Sequence, residues 1–459
     1  MNTLTDHLVT VAVLYGCGLP ITLSALNSRV LAVALAPLCT GLLAVLAVLG
    51  SLLTGTALAP WLVLWLLAGW AGAAWWWRQG RGHGRSPTVP WWAAGPVVLL
   101  TAPALLATNA AAIEWDARSI WWFHAAWFRQ GGEVARAAMN NDAFQFAHAD
   151  YPPFAPATQA MIWTGYHDLD RMLAKAVGAH LTFAAVALLC LLLVRLAPAA
   201  HRRWVAATAV LAGLFGLGLF GVGNGNGTSG LVDLLWAVLF AAGALALLIA
   251  PRDHDSLAVG WVAIAAAGLT KNEALSAIVL LFVLLAVRNG RQWKSTAWAA
   301  TAIVPAMAWT LVRAVFTDAG NDALRPGGVA ALLTGDEART SRVSPTLTAV
   351  WGEVGPTVWV WLVVALAGLA LLRRRRDGLG LGAAWVLPAL AVGMAATLAL
   401  VYVAGDQDIT WWLATSISRT TIVLRVLLLA DMFLWVLTAA AAVGEPTSDS
   451  AEIRGDWRP

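Results

Sequence analysis

Apolar runs long enough to cross ~30 Å of hydrocarbon recur along the chain from Val9 to Val443, separated by short polar links. At roughly 20 residues per crossing they mark about thirteen membrane helices. These fall near 8–26, 30–53, 57–77, 91–110, 174–196, 204–222, 231–249, 256–271, 273–288, 295–316, 347–371, 380–403 and 421–443. The pattern predicts an all-α, polytopic membrane protein. Four links are rich in Arg or Lys: Arg78 to Arg81, His201 to Arg203, Arg288 to Lys294 and Arg373 to Arg376. Short basic links stay on the cytoplasmic side. The alternate links, 111–173, 223–230, the turn around Lys271, 317–346 and 404–420, are then extracytoplasmic.

Three regions follow. Residues 1–90 form a block of three spans with a Gly/Arg linker, Gly80 to Pro87; residues 91–443 form the main membrane core; residues 444–459 make a polar cytoplasmic tail expected to be disordered. Composition agrees. Of 459 residues, 60% are hydrophobic and only 12% charged, about half the roughly 25% usual in soluble proteins. One water-soluble core could not hide so much apolar surface, which excludes a secreted enzyme, a soluble nucleotide-binding transferase and a nucleic-acid binder. The net charge of +4 reflects orientation rather than an acidic partner. Cys17, Cys39 and Cys190 all fall in apolar runs, so no disulfide framework is expected. Asp6 and His7 precede the first span where a signal peptide would be basic. Heavy use of Ala, Trp and Arg fits a bacterial plasma-membrane protein.

Chemistry has to reside in the outer links, because every long polar stretch lies there. The first outer link opens with Ile113-Glu114-Trp115-Asp116-Ala117-Arg118-Ser119-Ile120-Trp121-Trp122-Phe123-His124, too polar to cross and suited to a helix in the interface plane. Asp116, Ile120, Phe123 and Trp127 share helical spacing, with His124 beside them. Asp116 is either a helix cap or a functional acid at the membrane boundary. The same link carries His148-Ala149-Asp150-Tyr151-Pro152-Pro153-Phe154-Ala155-Pro156, in which three prolines forbid regular helix and hold Asp150 and Tyr151 rigidly. It is otherwise an ordinary terminator before a helix over 157–166.

Gly268-Leu269-Thr270-Lys271-Asn272-Glu273 turns so tightly between two apolar spans that Lys271 and Glu273 must sit at the membrane face. Lys271 either snorkels or pairs with Glu273, or it grips a phosphate as a point charge. Trp411, Trp412 and Arg419 lie on the approach to the last span, where Arg419 suits bidentate phosphate contact. Asp233 follows the glycine-rich run 223–230 at the outer end of its span. Arg425 and Asp431, within the last span, read as a packing or pairing matter. His124, His148, His167 and Asp168 share the outer link with Asp116 and Asp150 but lack metal-ligand spacing. A divalent cation between the two aspartates stays open. There is no Walker loop, dinucleotide fingerprint or nucleophile elbow.

Together these segments resemble the GT-C superfamily of membrane glycosyltransferases, in particular the branch of the protein O-mannosyltransferases and the lipid A aminoarabinose transferase. The resemblance rests on Trp115-Asp116-Ala117 with Ser119-Ile120-Trp121, on Asp150-Tyr151-Pro152, on Lys271-Asn272-Glu273 and on Trp411 to Arg419, and spans about 91–443. It implies a polyprenyl-phosphate-linked sugar donor, a glycan, lipid or protein acceptor, no required cofactor, and Asp116 as the acid serving transfer. The chain departs from the pattern in three ways. Glu114 and Asp116 are separated by Trp115 rather than adjacent, three spans precede the core, and no globular C-terminal domain follows.

The residues fit that chemistry on their own. A sugar on phosphate already has a good leaving group, so transfer needs a base and cations for the departing phosphate. Asp116 and Asp150 are the catalytic candidates, Lys271 and Arg419 the phosphate ligands. Glu114, Arg118, His124, Tyr151, Asp233, Glu273, Trp411 and Trp412 are the substrate-binding candidates. The rival class is a transporter or lipid flippase, which places its charges near the midplane on interrupted helices.

Overall fold

The computed structural model describes residues 3–79, 89–95, 97–98, 102, 105, 113–166, 169–217, 227–249, 253–290, 293–317, 326–373 and 384–443. The linker 80–87, most of the expected span 91–110, His167, Asp168, residues 223–226, Arg374 to Arg376 and the tail from Glu445 lie outside the described residues. Among the described residues the protein is all helical. Eight helices there are long and apolar enough to cross a membrane, and Asp233–Leu248 is a shorter apolar helix. It is a multi-pass, all-α protein of membrane type.

The helices run in chain order. α1 (Thr3–Ala25), α2 (Arg29–Thr54) and α3 (Leu58–Arg78) lead. The long polar link expected outside the cytoplasm contains α4 (Trp122–Gln130), α5 (Gly132–Met139) and α6 (Phe154–Gly165). Then come α7 (Arg171–Leu196), α8 (Arg202–Leu217), α9 (Asp233–Ile249), α10 (His254–Gly268), α11 (Glu273–Asn289), α12 (Trp293–Ala300) and α13 (Val304–Phe316). α14 (Pro326–Leu333), α15 (Glu337–Thr340), α16 (Val343–Arg373), α17 (Val386–Ala404), α18 (Ile409–Thr420) and α19 (Ile422–Val443) complete the bundle.

α9 is the axis. It is apolar all round, and every residue from Asp233 to Leu248 is buried, as a helix enclosed by protein should be. α7, α10 and α19 pack around it. α9 and α10 approach closely because Gly243 and Gly260 face the other helix: a Cβ on Gly243 would meet Ile264 at 2.7 Å, and one on Gly260 would meet Leu247 at 2.6 Å. Burial from Asp233 to Leu248 fixes where α9 begins, and therefore where Asp233 sits.

The first three helices are built into this bundle. α2 packs on α6, α7 and α10, and α1 on α7. Gly41 of α2 seats Phe154, whose ring carbons would lie 2.6 and 2.7 Å from a Cβ there. At the other end of α2, Arg136 of α5 donates to the Leu52 carbonyl, and the Gly132 N–H donates to the Thr56 carbonyl at 2.9 Å. The α1–α2 turn is tied down by Asp255, whose two carboxylate oxygens each accept a backbone N–H, from Asn27 and Ser28, at 3.0 Å. The leading helices thus carry both the first outer link and the base of α10.

Asp255 is fully buried, so removing its carboxylate strands two donors. Asp255→Ala is expected to cost about 3 kcal/mol or more, read as a large drop in the thermal midpoint of detergent-solubilised protein. Asp255→Asn, which keeps one oxygen, should fall between Ala and wild type; equal midpoints for all three would contradict the tether.

Candidate functional site

Five segments far apart in sequence end at one place, where α9, α11 and α19 begin and α10 and α18 finish. Local chemistry delivers each of them. The 227–232 segment turns into α9 through Gly230, at φ 93°, a conformation favouring glycine. A Cβ at Gly230 would also lie 2.7 Å from the Ala117 Cβ, so this turn presses on the first outer link. The Glu114 N–H donates to the Ser229 carbonyl at 3.4 Å. Asp233 then starts α9 with its side chain buried.

The link from α10 to α11 is only Leu269 to Asn272. It is joined to the proline loop by two bonds. The Phe154 N–H donates to the Leu269 carbonyl at 2.7 Å, and Asn272 Nδ2 donates to Asp150 Oδ2 at 2.7 Å. Ahead of this loop His148 adopts φ 52°, unusual for a side-chain-bearing residue. Its carbonyl accepts the Tyr151 N–H at 2.9 Å, and its ring stacks on Tyr151 with centroids 5.2 Å apart. Left-handed backbone followed by two prolines is what aims Asp150 and Tyr151 back at the α10–α11 link.

The Asp116 segment is helical from Trp115, but Ala117–Trp121 is a wider turn in which the Trp122 N–H reaches back to the Ala117 carbonyl. Such wide turns often mark functional sites. Asp116 makes no capping bond to this turn. Its carboxylate instead accepts from Arg419 NH1 at 2.5 Å, a contact across 303 residues that decides against a purely capping role. Arg419 is set by α18. Asp408 caps the start of that helix through the Trp411 N–H at 2.8 Å. The buried Tyr402 hydroxyl bonds Ser416 and Thr420 at 2.7 and 2.9 Å. Arg339 and Arg342 both donate to the Gly405 carbonyl, fixing the corner before α18.

The charges form a compact array. Lys271 Nζ lies 2.8 Å from Asp233 Oδ1, 3.8 Å from Glu273 Oε1 and 5.5 Å from the centre of the Tyr151 ring. Asp233 is also electrostatically coupled to Arg419. Tyr151 feels Lys271, Glu273, Asp150 and Asp233 together. Burial pushes the Tyr151 hydroxyl above its ordinary range, and Lys271 opposes that. Asp116, Asp150, Tyr151, Asp233, Lys271, Glu273 and Arg419 therefore lie in one cluster. Of the roles weighed for Lys271, the Glu273 pairing is present only at 3.8 Å, and its closest carboxylate is Asp233. Buried charges of this kind need partners, and these have them.

Around the cluster several buried polar atoms have no hydrogen-bond partner among the described residues: Arg419 Nε, Glu273 Oε2, Ser229 Oγ, and the indole nitrogens of Trp121 and Trp122. Unsatisfied buried donors and acceptors are costly and uncommon. Others lie elsewhere in the bundle, on Arg195 and Asp431 among them; those beside the cluster are donors and acceptors that a polar ligand could use. Trp121 stacks on Tyr151 at 5.3 Å, nearly parallel, giving the array an aromatic wall.

Other candidates stand differently. His124 turns into packing, stacked on Trp127 at 4.8 Å with its ring hydrogen-bonded to the Ala147 backbone. The wide turn at Ala117–Trp121 interrupts the regular spacing that grouped it with Asp116. Trp412 packs on Tyr402 at 4.8 Å, and Trp411 is 58% exposed. Arg118 is exposed and Glu114 half-buried; the Glu114 backbone N–H bonds the turn before α9. Asp431 accepts from the indoles of Trp361 and Trp435 at 2.8 and 3.0 Å, and Arg425 pairs with Glu353 at 3.6 Å, both as pairing contacts between helices. Among the described residues no three His, Cys, Asp or Glu side chains stand together as metal ligands. Sequence reasoning missed Asn272, Tyr402 and Ser229. Asn272 and Ser229 lay inside segments already singled out, whereas Tyr402 carries no local signal.

Burial holds the His124 pKa down to about 3. A depressed imidazole pKa means that the unfolded chain binds the extra proton, so stability contributed by His124 is complete above about pH 6.5 and is lost as pH falls toward 3. The thermal midpoint of wild type should therefore drop more between pH 7.5 and pH 5 than that of His124→Gln; equal drops would contradict the burial.

Compared with family models, with curated proteins and with solved structures, the chain matches none, so the residues themselves carry the functional argument.

Proposed function

We propose that this protein is a membrane glycosyltransferase of GT-C type, with about thirteen membrane helices by the ~20-residue rule. It takes a sugar from a polyprenyl-phosphate donor and passes it to an acceptor hydroxyl at the extracytoplasmic face of a bacterial plasma membrane. One observation carries this reading: a carboxylate, a lysine and an arginine from separate segments meet at one end of the bundle, with an unpartnered arginine donor among them.

In the proposed step the acceptor oxygen forms a bond to the anomeric carbon while the bond from that carbon to the phosphate oxygen breaks. The acceptor proton passes to Asp116, and the electron pair leaves with the lipid phosphate. Arg419 has five N–H donors in a rigid fork. It can keep NH1 on Asp116 while Nε meets the departing phosphate, next to Lys271. Charge grows on the phosphate as it leaves, and two cations already in place stabilise it without reorganisation. Asp150, held by Asn272, orients the acceptor. The Trp121–Tyr151 wall offers an apolar face to a sugar ring.

The transporter alternative has one observation in its favour, the buried Asp431 midway along α19. The Trp361 indole of α16 and the Trp435 indole of its own helix already donate to it, which suits a helix clamp. Purified protein given labelled polyprenyl-phosphate sugar separates the classes: sugar transfer or release supports the enzyme, and substrate movement across liposomes without turnover supports transport.

Asp116→Asn keeps the shape and an oxygen for Arg419 but removes the base. Transfer should fall by at least about 100-fold, with the size-exclusion profile and thermal midpoint close to wild type. Activity retained within about tenfold of wild type would refute the role given to Asp116.

A further inference from the structure

The charge balance of the cluster poses a problem for any anionic ligand. Asp116, Asp150, Asp233 and Glu273 supply four carboxylates against two cations, Lys271 and Arg419. A phosphate approaching those cations meets a surplus of like charge, and like charges at short range in a partly desolvated site repel strongly. Three of the carboxylates are placed elsewhere. Asp116 accepts from one terminal nitrogen of Arg419 and leaves Nε unpartnered among the described residues. Asp150 is held by Asn272. Glu273 stands 3.8 Å from Lys271, beyond a direct hydrogen bond, and keeps one buried oxygen unpartnered.

Asp233 is the exception. Among the described residues it alone hydrogen-bonds the Lys271 ammonium, at 2.8 Å, and it also feels the Arg419 charge. Its carboxylate oxygen therefore takes one of the three donors of Lys271, a place that a phosphate oxygen could take. We propose that Asp233 is a stand-in for the ligand's phosphate: it neutralises Lys271 in the ligand-free protein, yields to the phosphate on binding, and returns to expel the phosphate product. Asp233 is thus a positioning residue that tunes affinity downward, and this inference rests on the lipid-phosphate reading above. The fold gives the device a fixed base, because Asp233 is the first residue of α9, buried from there to Leu248, while Lys271 sits in a four-residue link.

Such an arrangement reverses the usual expectation for a buried salt bridge. Losing a merely structural partner of Lys271 would disorder the lysine and weaken anion binding. Losing a competitor strengthens it. Asp233→Asn keeps an oxygen acceptor for Lys271, and Glu273 remains nearby to neutralise the ammonium. Asp233→Ser is a second neutral variant should the first fold poorly, and Asp233→Glu retains the charge.

The test is the affinity of each protein, in nanodiscs of zwitterionic lipid, for a polyprenyl monophosphate, measured by ligand titration in native mass spectrometry. Wild type should bind, Asp233→Asn or Asp233→Ser should bind at least tenfold more tightly, and Asp233→Glu should stay within threefold of wild type. With sugar donor, the neutral variant should show a burst of transfer followed by slow turnover, as retained product requires. If wild type binds and the neutral variants bind equally or more weakly, the stand-in role is overturned while the lipid-phosphate reading survives. If wild type does not bind the lipid phosphate at all, that reading fails, and the stand-in role with it.

Discussion

The pairing of Lys271 with Asp233 is the contact on which the rest of this structure turns. An ammonium buried among apolar helices is tolerable only beside a carboxylate, and here the carboxylate comes from the first residue of the most enclosed helix in the bundle. That requirement fixes the α10–α11 link against the start of α9. The link in turn fixes the proline loop through the Leu269 carbonyl and Asn272. Arg419 and Asp116 close the array from the other side. Each charge limits where its neighbours can be, so among the described residues helices and their links alone hold the ligand-free site in place.

The apolar scaffold does a complementary job. Small residues let α9 and α10 approach closely, and α2 gives Phe154 a seat at Gly41. Because Phe154 follows directly on the two prolines, the seat sets the height of Asp150 and Tyr151. The first three helices, which look like an addition when the sequence is read alone, thereby help to place the proposed chemistry. Tyr402 does the same for Arg419 by holding two hydroxyls of α18.

Much of this was legible in the sequence because charge is rare in it. Asp116, Asp150, Asp233, Lys271 and Arg419 stand out against long apolar runs, and hydropathy alone places them near span ends. Their pairings were not legible. Nothing local says that Asp116 meets a residue 303 positions away, or that Lys271 prefers Asp233 to the nearer Glu273. The helix over 157–166 was found, although it begins earlier, at Phe154, because proline is acceptable in a first helical turn. His124 was grouped with Asp116 on regular spacing, which a wide turn interrupts. Asn272 and Tyr402 act through single side-chain bonds, which leave no periodic signature.

The central claim is that these charges make one phosphate-binding centre at a membrane rim. It is tested most directly by an experimentally determined structure of the protein with a polyprenyl phosphate bound. The account predicts phosphate density within hydrogen-bonding distance of both Lys271 Nζ and Arg419 Nε, with the prenyl chain leaving between helices. Phosphate density at any other place, with the Lys271–Asp233 and Arg419–Asp116 contacts unchanged, would contradict it.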